Sequence, residues 1–519
     1  MKYLFAILAL VLILASVARM VTLPDMSSKV PVLYWVTDDN PARVEQVALF
    51  EQWLVKKGLV TPQGLPVCEL RVDTANNAAE KKIIQAVSGV GGDIMDSYGN
   101  DLSYFHAVGF VHDVTDAARR LGFGPDHTWP AIVPSLVIQG RQYSFPCNVS
   151  APMLWVNEQT FAHYGLKPPP RRWTIEEFTR IGKELVDAAN PPGQRRLVFF
   201  ADGINASMLA DTMGVSTFNE TMTACNLDDP RYIKALKLIY QWTYQDHLLP
   251  SAADRADFAT QAGYGGSTFQ LFNQGRIAMF VSGRYALIQL RDFNKTRHEE
   301  GKPYLKMEVV EPPYGQLPVT RTYTRAALVY QGGKHIKLAE YFLAYLASKE
   351  YNMQIVQDAD ALPPSPAYTR TPAFLRPPDH PEEWGLHEPF ADAARTIAVA
   401  SDVSPFILPV TASRLITEQS DAFMNNLEDA PTATHLMAVN IDRDIQRNLQ
   451  ENPALQPEYE ELVKLQARID ARRKEGRPIP AAWISNPYYR FYYRRMGMLQ
   501  EDKAPAAGQT SNATAPGGR

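Results

Sequence analysis

Aromatic rings stand next to short hydrogen-bonding side chains near the start of this sequence. The residues concerned are Trp35, Asp38 and Asp39, then Asn76 and Asn77, and then Tyr98, Asn100 and Asp101. An aromatic face stacks on the apolar face of a sugar ring, while carboxylates and amides pair with its hydroxyl groups. These residue types therefore predict a saccharide-binding surface. For any single one of them, the alternative is an ordinary place in the core, in a turn or at a helix cap.

The segments that carry these residues are predicted to alternate between strands and helices. Strands are expected over 30–36, 66–72 and 92–95, and helices over 41–57 and 75–87. Two successive β-α-β crossovers imply a parallel sheet covered by helices. In such sheets ligands bind beyond the carboxyl ends of the strands, which is where the polar and aromatic residues lie.

Apolar residues at helical spacing predict which faces of the two helices pack on the sheet. In the first helix Val44, Phe50 and Leu54 recur at this spacing, and in the second Ile84 and Val87 share one side. These side chains are therefore predicted to form the packed faces.

Length, charge and motifs narrow the classes of protein to which the chain can belong. Its 519 residues suggest two or three domain-sized units, and a net charge of −4 without a basic domain lacks the pattern of a nucleic-acid-binding protein. Cys68, Cys147 and Cys225 permit one disulfide or three free buried thiols. The sequence contains no nucleophile elbow, phosphate-binding loop or zinc-protease motif, so we expect no catalytic residue, cofactor or metal.

The N-terminus predicts export. Lys2 precedes an uncharged apolar run from Tyr3 to Ala18, and Arg19 follows at once. This pattern is typical of a secretory signal peptide, here cleaved after Ala18, or of an N-terminal membrane anchor that is retained. In either case we expect the body of the chain to be exported. From Glu501 onward the composition predicts a disordered tail.

Five motifs follow one another in a fixed order between about residues 30 and 365. They are Val32-Leu-Tyr-Trp-Val36; Ile84 to Ile94 with its Gly-Gly-Asp turn; Val111-His-Asp-Val-Thr-Asp116; the run from Gly140-Arg-Gln-Tyr-Ser-Phe-Pro146 through Leu154-Trp-Val-Asn-Glu158 to Trp173-Thr174; and Phe272 to Tyr285. Together they resemble the family 1 extracellular solute-binding proteins of bacterial ABC importers, the group that includes maltose-binding protein. The chain departs from the family pattern at Tyr285, where relatives often have Trp, and by continuing well past Pro364.

The resemblance implies an α/β fold of two lobes, the type II periplasmic binding protein, in which hinge strands join two mixed, mainly parallel sheets flanked by helices. The implied boundaries are a signal peptide or anchor over 1–20, a first lobe over 30–143 and 310–362, a second lobe with a helical C-terminal extension over 144–309 and 363–500, and a tail over 501–519. Hinge strands are expected near Tyr143–Pro146, Val309–Pro313 and Leu362–Pro364.

The resemblance and the rule for sheet ends nominate ligand-binding residues from both lobes. They are Trp35, Asp38, Tyr98 and Asp101 from the first lobe, and Asn148, Tyr264, Ser282, Gly283, Arg284 and Tyr285 from the second lobe and its edge. The implied partners are a small sugar and the membrane permease subunits of an ABC importer, with the protein a monomer and no nucleic acid bound. Arg284 leaves room for an acidic or phosphorylated ligand.

Residues Ala481 to Gly497 interleave tyrosines with arginines. We predict a helix that packs on the second lobe with its arginines reaching water, and the alternative is a contact surface for a transporter subunit or a neighbouring chain. Two other functions remain open. One is a secreted glycosidase, for which Asp38 and Asp101 form the only pair of carboxylates to nominate. The other is a binding protein that serves a membrane sensor.

Overall fold

The computed structural model describes residues 28–40, 42–98, 101–193, 196–258 and 267–501. The predictions for the N-terminal apolar segment, for Pro41, Asn100 and Tyr264, and for the tail after Glu501 fall outside these residues. Among the described residues, no helix combines the length and the apolar character that crossing a membrane requires.

The strands, numbered in chain order, are β1 Val32–Val36, β2 Glu69–Asp73, β3 Ile94–Ser97, β4 Val137–Ile138, β5 Arg141–Gln142, β6 Ser144–Ser150, β7 Met153–Asn157, β8 Phe199–Asp202, β9 Ile277–Ser282, β10 Met307–Val310, β11 Thr320–Val329, β12 Ala398–Ala400, β13 Ile479–Pro480 and β14 Leu499–Gln500. The α-helices are α1 Ala42–Lys56, α2 Ala79–Val87, α3 Leu102–Ala107, α4 Thr115–Leu121, α5 Glu158–His163, α6 Ile175–Ala189, α7 Ala206–Thr212, α8 Pro230–Tyr240, α9 Ala252–Phe258, α10 Ser267–Asn273, α11 Leu287–Glu299, α12 Ile336–Leu346, α13 Lys349–Asp358, α14 Pro372–Leu375, α15 Glu388–Thr396, α16 Pro409–Met424, α17 Ala430–Glu451, α18 Gln456–Lys474 and α19 Pro487–Arg495.

The first lobe is built on a mixed sheet in the order β12-β11-β3-β1-β2, with β6 also paired to β11. β1 runs parallel to both β2 and β3, so the two predicted β-α-β crossovers are confirmed. β11 runs antiparallel to β3 and β6 and parallel to β12. The core beneath this sheet contains Trp35, Phe50, Phe342 and Tyr345, all fully buried.

The second lobe is built on a sheet in the order β10-β7-β9-β8. β8 is parallel to β9, whereas β7 is antiparallel to both of its neighbours. Its core packs Trp173, Phe178, Phe200 and Trp242 against residues of α16 and α17. The α/β fold of two lobes with mixed sheets and a helical C-terminal part is therefore confirmed.

The chain passes between the two sheets at β6 and β11. β6 ends at Ser150 in the first sheet, and β7 begins at Met153 in the second. Residues 311–319 lead from β10 back to β11, and a single bridge pairs Val149 of β6 with Leu362. The pairing of β11 with β6 shifts register between Arg325 and Ala326, which is a β-bulge or a similar irregularity.

The packed faces of α1 and α2 match the prediction only in part. Phe50 and Leu54 of α1 are fully buried, as predicted. Val44 is 77% exposed, and Ile84 and Val87 are also exposed, whereas Arg43 and Lys82 are buried in their place. The reason is electrostatic, because Arg43 makes ion pairs in the interior and Lys82 donates to the carbonyl of Asp96 at 2.5 Å. Spacing alone reports apolar residues and does not reveal a buried cation with internal partners.

Candidate ligand-binding site

β11 supplies the framework of the candidate site. Side chains alternate between the two faces of a strand, so Arg321, Tyr323 and Arg325 leave β11 on the same side. Tyr323 is 47% exposed, whereas the side chains of the two arginines are 11% and 3% exposed. An aromatic ring thus stands in the open between two largely buried guanidinium groups.

Arg325 ends among the carboxylates of the first lobe. Its Nη1 donates to Asp96 Oδ2 at 2.8 Å, and its Nε lies 3.8 Å from Asp38 Oδ2. Arg43 holds both oxygens of Asp38, at 2.8 and 3.2 Å, and reaches Asp360 at 3.2 Å. Burial by itself would raise the pKa of Asp38, but the two arginines lower it below its ordinary value. Asp38 is therefore a fixed, ionised acceptor at the end of β1.

Arg321 ends among carboxylates of the second lobe. It makes a bidentate pair with Asp211 at 2.7 and 2.6 Å and lies 3.2 Å from Asp402. It also donates to Ser216 Oγ at 2.9 Å and to the carbonyl of Ala400 at 3.1 Å. The guanidinium thus makes four hydrogen bonds and an ion pair with groups of the protein itself. Burial raises the pKa of Asp211 to about 6, although Arg321 opposes the shift.

A cavity of about 500 Å³ opens beside Arg321 and Tyr323 on the second-lobe side. Side-chain hydroxyls and amides dominate the polar part of its wall. They come from the start of α7, the residues after β12 and the first turns of α16, namely Asn205, Ser207, Ser401, Ser404, Ser413, Thr417 and Ser420. Such a wall offers many neutral donors and acceptors to one small molecule.

Two of the predicted site residues, Tyr98 and Tyr285, are partly exposed. Tyr98 is 37% exposed, and its hydroxyl accepts from Asn77 at 2.8 Å. Asp101 precedes α3, and burial raises its pKa despite the nearby Lys82. Tyr285 is 36% exposed and faces the strand crossing.

Gly283, Ser282 and Asn148 lie where the second lobe meets β6. A Cβ on Gly283 would come within 2.2 Å of Ser150 Oγ and 2.6 Å of the Tyr285 ring. Glycine at this position therefore lets Tyr285 approach β6. Ser282 is buried at the end of β9, and Asn148 donates to Asp360 at 3.1 Å.

Trp35 and Arg284 have structural positions that the sequence did not reveal. Trp35 is fully buried, donates to Asp96 Oδ1 at 2.7 Å and packs on Phe342 at 4.8 Å, so neither ring face is open to a ligand. Arg284 is 1% exposed and donates to the carbonyls of Val356 and Ala361 at 2.8 and 2.9 Å. It stays in the interior, which removes the basis for expecting an acidic ligand there.

One group of side chains among the described residues has the composition of a metal site. It consists of His380, Glu382 and Glu383. Arg291 holds both oxygens of Glu383, at 2.6 and 2.9 Å, so a cation beside this carboxylate would face a guanidinium. The arrangement favours an ion pair and not a metal.

A family model described as bacterial extracellular solute-binding protein matches residues 69–353, more than half of the chain. The chain belongs to this family. A protein of Brucella abortus that is named as a binding protein is 24% identical over 230 residues, which are 44% of this chain and 52% of that protein. The chain thus spans about half the length of the curated relatives it matches.

Solved structures share the fold of this solute-binding protein. An ABC substrate-binding protein of Listeria monocytogenes, in complex with cycloalternan, is 17% identical with a TM-score of 0.65, covering 80% of this chain and 100% of that chain. A maltose-bound protein of T. maritima is 15% identical with a TM-score of 0.60, covering 79% and 98% of the two chains. At these identities the likeness establishes the two-lobed fold.

The sequence reasoning missed the residues of this solute-binding protein that line the centre of the candidate site. Threonine alternates with arginine or tyrosine along Thr320 to Arg325, and this pattern was a usable signal for Arg321 and Tyr323. No local sequence pattern marked Asp211 and Asp402, because both are far from Arg321 in the sequence and pair with it only in the folded chain. Asp402 also lies beyond the part of the chain that the family model matches.

Proposed function

We propose that this solute-binding protein captures an uncharged saccharide between its lobes and delivers it to the permease of an ABC importer. The observation that carries the proposal is the exposed ring of Tyr323, which stands beside a hydroxyl-lined cavity of about 500 Å³. A tyrosine face and many neutral hydrogen-bonding groups suit the apolar face and the hydroxyls of a sugar.

The charges of the site support an uncharged ligand. An anionic sugar needs an available cation, yet Arg321 already pairs with Asp211 and Asp402 and donates four hydrogen bonds within the protein. Arg43 likewise holds Asp38 and Asp360. Solved neighbours are consistent with a sugar, since their bound molecules include cycloalternan, maltose and α-D-tagatose.

Binding would couple to closure of the lobes. Tyr98 and Asp38 belong to the first lobe, whereas Ser207 and Ser413 belong to the second, so a molecule that touches both sets favours the closed state. A ligand shifts such an equilibrium only by its difference in affinity for the two states. The closed form, as an exported monomer in the periplasm, would then be the species that the permease recognises.

A glycosidase is less well supported by the same residues. Asp38 accepts hydrogen bonds from Arg43 on both of its oxygens, which leaves it poorly placed as a nucleophile or base. The lowered pKa of Asp38 also makes it a poor general acid.

The test is a thermal-shift screen of the exported form with glucose, maltose, trehalose and tagatose, and with glucuronate and glucose 6-phosphate. Ligand at 100 times its Kd stabilises the folded state by about 2.7 kcal/mol, so binding is easily seen. We expect a rise in Tm with an uncharged sugar and no turnover of it. The Tyr323→Ala variant should lose the rise, whereas Tyr304→Ala, which removes a half-exposed ring stacked on His298, should keep it. No rise with any sugar, or consumption of the sugar, would contradict the proposal.

A further inference from the structure

The C-terminal segment, residues 476–500, packs behind the candidate site. It contains β13, α19 and β14, and the two strands pair in parallel. Tyr488, Tyr489 and Tyr493 of α19 are buried together with Val319 and Val399, which flank or belong to the crossing strands β11 and β12. The tyrosines therefore face the protein, as the packing interpretation of this aromatic and basic stretch predicts.

Asn486 joins the C-terminal segment to the residues around Arg321. It is fully buried, and its Nδ2 lies 3.3 Å from Ser216 Oγ and 3.0 Å from the carbonyl of Phe218. Ser216 in turn accepts from Arg321 and donates to Asp402. One buried amide thus fixes the serine on which an arginine and an aspartate of the cavity wall both depend.

Tyr488 supports the same ion pair from behind. Its ring centroid lies 4.8 Å from the guanidinium carbon of Arg321, and its hydroxyl donates to the carbonyl of Asp211 at 2.5 Å. The Tyr488 side chain is buried, so this cation–π contact is desolvated and at the strong end of its range. Arg321 and Asp211 line the cavity, whereas Tyr488 and Asn486 do not border it.

We propose that Tyr488 and Asn486 are positioning residues for the ligand cavity, so that the C-terminal segment sets ligand affinity through Arg321 and Ser216. This inference rests on the proposed function, because it places the ligand in that cavity. It also assigns a role to residues that lie beyond the family match, which ends at residue 353.

The test compares substitutions of two buried tyrosines in one helix. Tyr488→Leu removes the ring under Arg321, and Tyr493→Leu removes a ring whose hydroxyl donates to Glu220 at 2.5 Å, away from the cavity. Both should lower Tm. With whichever of glucose, maltose, trehalose or tagatose raises the wild-type Tm most, Tyr488→Leu should raise Kd about fivefold or more, the range of a coupling between sites. Tyr493→Leu should leave Kd unchanged.

A conservative variant separates positioning from simple loss of stability. Tyr488→Phe keeps the ring on Arg321 and loses only the hydroxyl, so its Kd should stay near the wild-type value. Equal Kd for Tyr488→Leu and the wild type would overturn the inference, as would equal losses for Tyr488→Leu and Tyr493→Leu.

A ligand-free measurement distinguishes failure of this inference from failure of the proposed function. Urea unfolding gives the free energy of unfolding of Tyr488→Leu, Arg321→Lys and the double variant. The change in the double variant should differ from the sum of the changes in the two single variants. Additive shifts would overturn the positioning role even where a sugar binds. If the changes in unfolding free energy are not additive but the protein binds none of the four sugars, the Tyr488–Arg321 contact stands. The proposal that the cavity binds a saccharide is then rejected.

Discussion

Arg321 and Arg325 leave β11 on the same side, four residues apart, and each ends among carboxylates of a different lobe. Arg321 pairs with Asp211 of the second lobe at 2.6 Å, and Arg325 pairs with Asp96 of the first at 2.8 Å. These ion pairs attach the first half of β11 to both lobes, with Tyr323 exposed between Arg321 and Arg325. Side chains of a single strand thus make ion pairs with both lobes.

Loss of the ion pair between Arg325 and Asp96 of the first lobe should strongly destabilise the protein. Arg325→Met removes the arginine that pairs with Asp96, and removing one partner of a buried ion pair costs about 3–5 kcal/mol. Urea unfolding measures this cost. Arg414→Met removes an exposed pair with Glu418 and should leave the unfolding midpoint nearly unchanged. A small effect of Arg325→Met on the free energy of unfolding would show that this ion pair is not needed for stability.

A methyl group at Gly283 should displace Tyr285. The φ of Gly283 is −78°, so alanine is compatible with the backbone at this position. The added Cβ, however, would meet Ser150 Oγ at 2.2 Å. We expect Gly283→Ala to lower Tm and to weaken sugar binding, measured by calorimetry. The double variant with Ser150→Ala, which removes the nearest atom, should recover part of both losses. Recovery in neither quantity would place the cause elsewhere.

Acid should weaken the interior cluster around Arg284. Burial lowers the pKa of His387 from its ordinary 6.5 to about 4, so the unfolded chain takes up this proton first and stability falls as the pH drops below 6.5. The pKa of Glu383 is about 2 against an ordinary 4.5, because Arg291 and His387 outweigh its burial. Its contribution is present above pH 4.5 and is lost as the pH falls towards 2.

The pH dependence of Tm tests this cluster. His387→Asn keeps an acceptor for Arg284 and cannot titrate, so the decline between pH 6.5 and 4 should become shallower. His298→Asn changes an exposed histidine and should leave the slope unaltered. An unchanged slope in His387→Asn would exclude this histidine as the cause.

The three cysteines should resist thiol reagents in the folded protein. Cys68, Cys147 and Cys225 are free and buried, and burial raises the pKa of each thiol, to about 12 for Cys68. Since the thiolate is the reactive form, labelling by Ellman's reagent should be slow in buffer and complete in guanidinium chloride. Rapid labelling of one thiol in buffer would reveal local opening at that site.

The sequence carried enough information for the architecture and little for the centre of the site. Local patterns were sufficient for β1 to β3 and for the hinge motif that includes β6, since strands and turns are encoded by neighbouring residues. Trp35 and Arg284 were misread because an aromatic or charged residue after a strand looks alike whether it meets ligand or interior partners. The Arg321–Asp211 pair joins residues 110 positions apart, and no local pattern encodes such a contact.

The hydrogen bond from Tyr488 to Asp211 also has a consequence for biogenesis, because it joins residues 277 positions apart. Contacts of such separation form late, after most of the loop-closure entropy has been lost. The back of the cavity therefore assembles only when the chain has left the ribosome as far as Tyr488. A chain that is still being synthesised therefore lacks the contacts that Tyr488 and Asn486 make with Asp211 and Ser216.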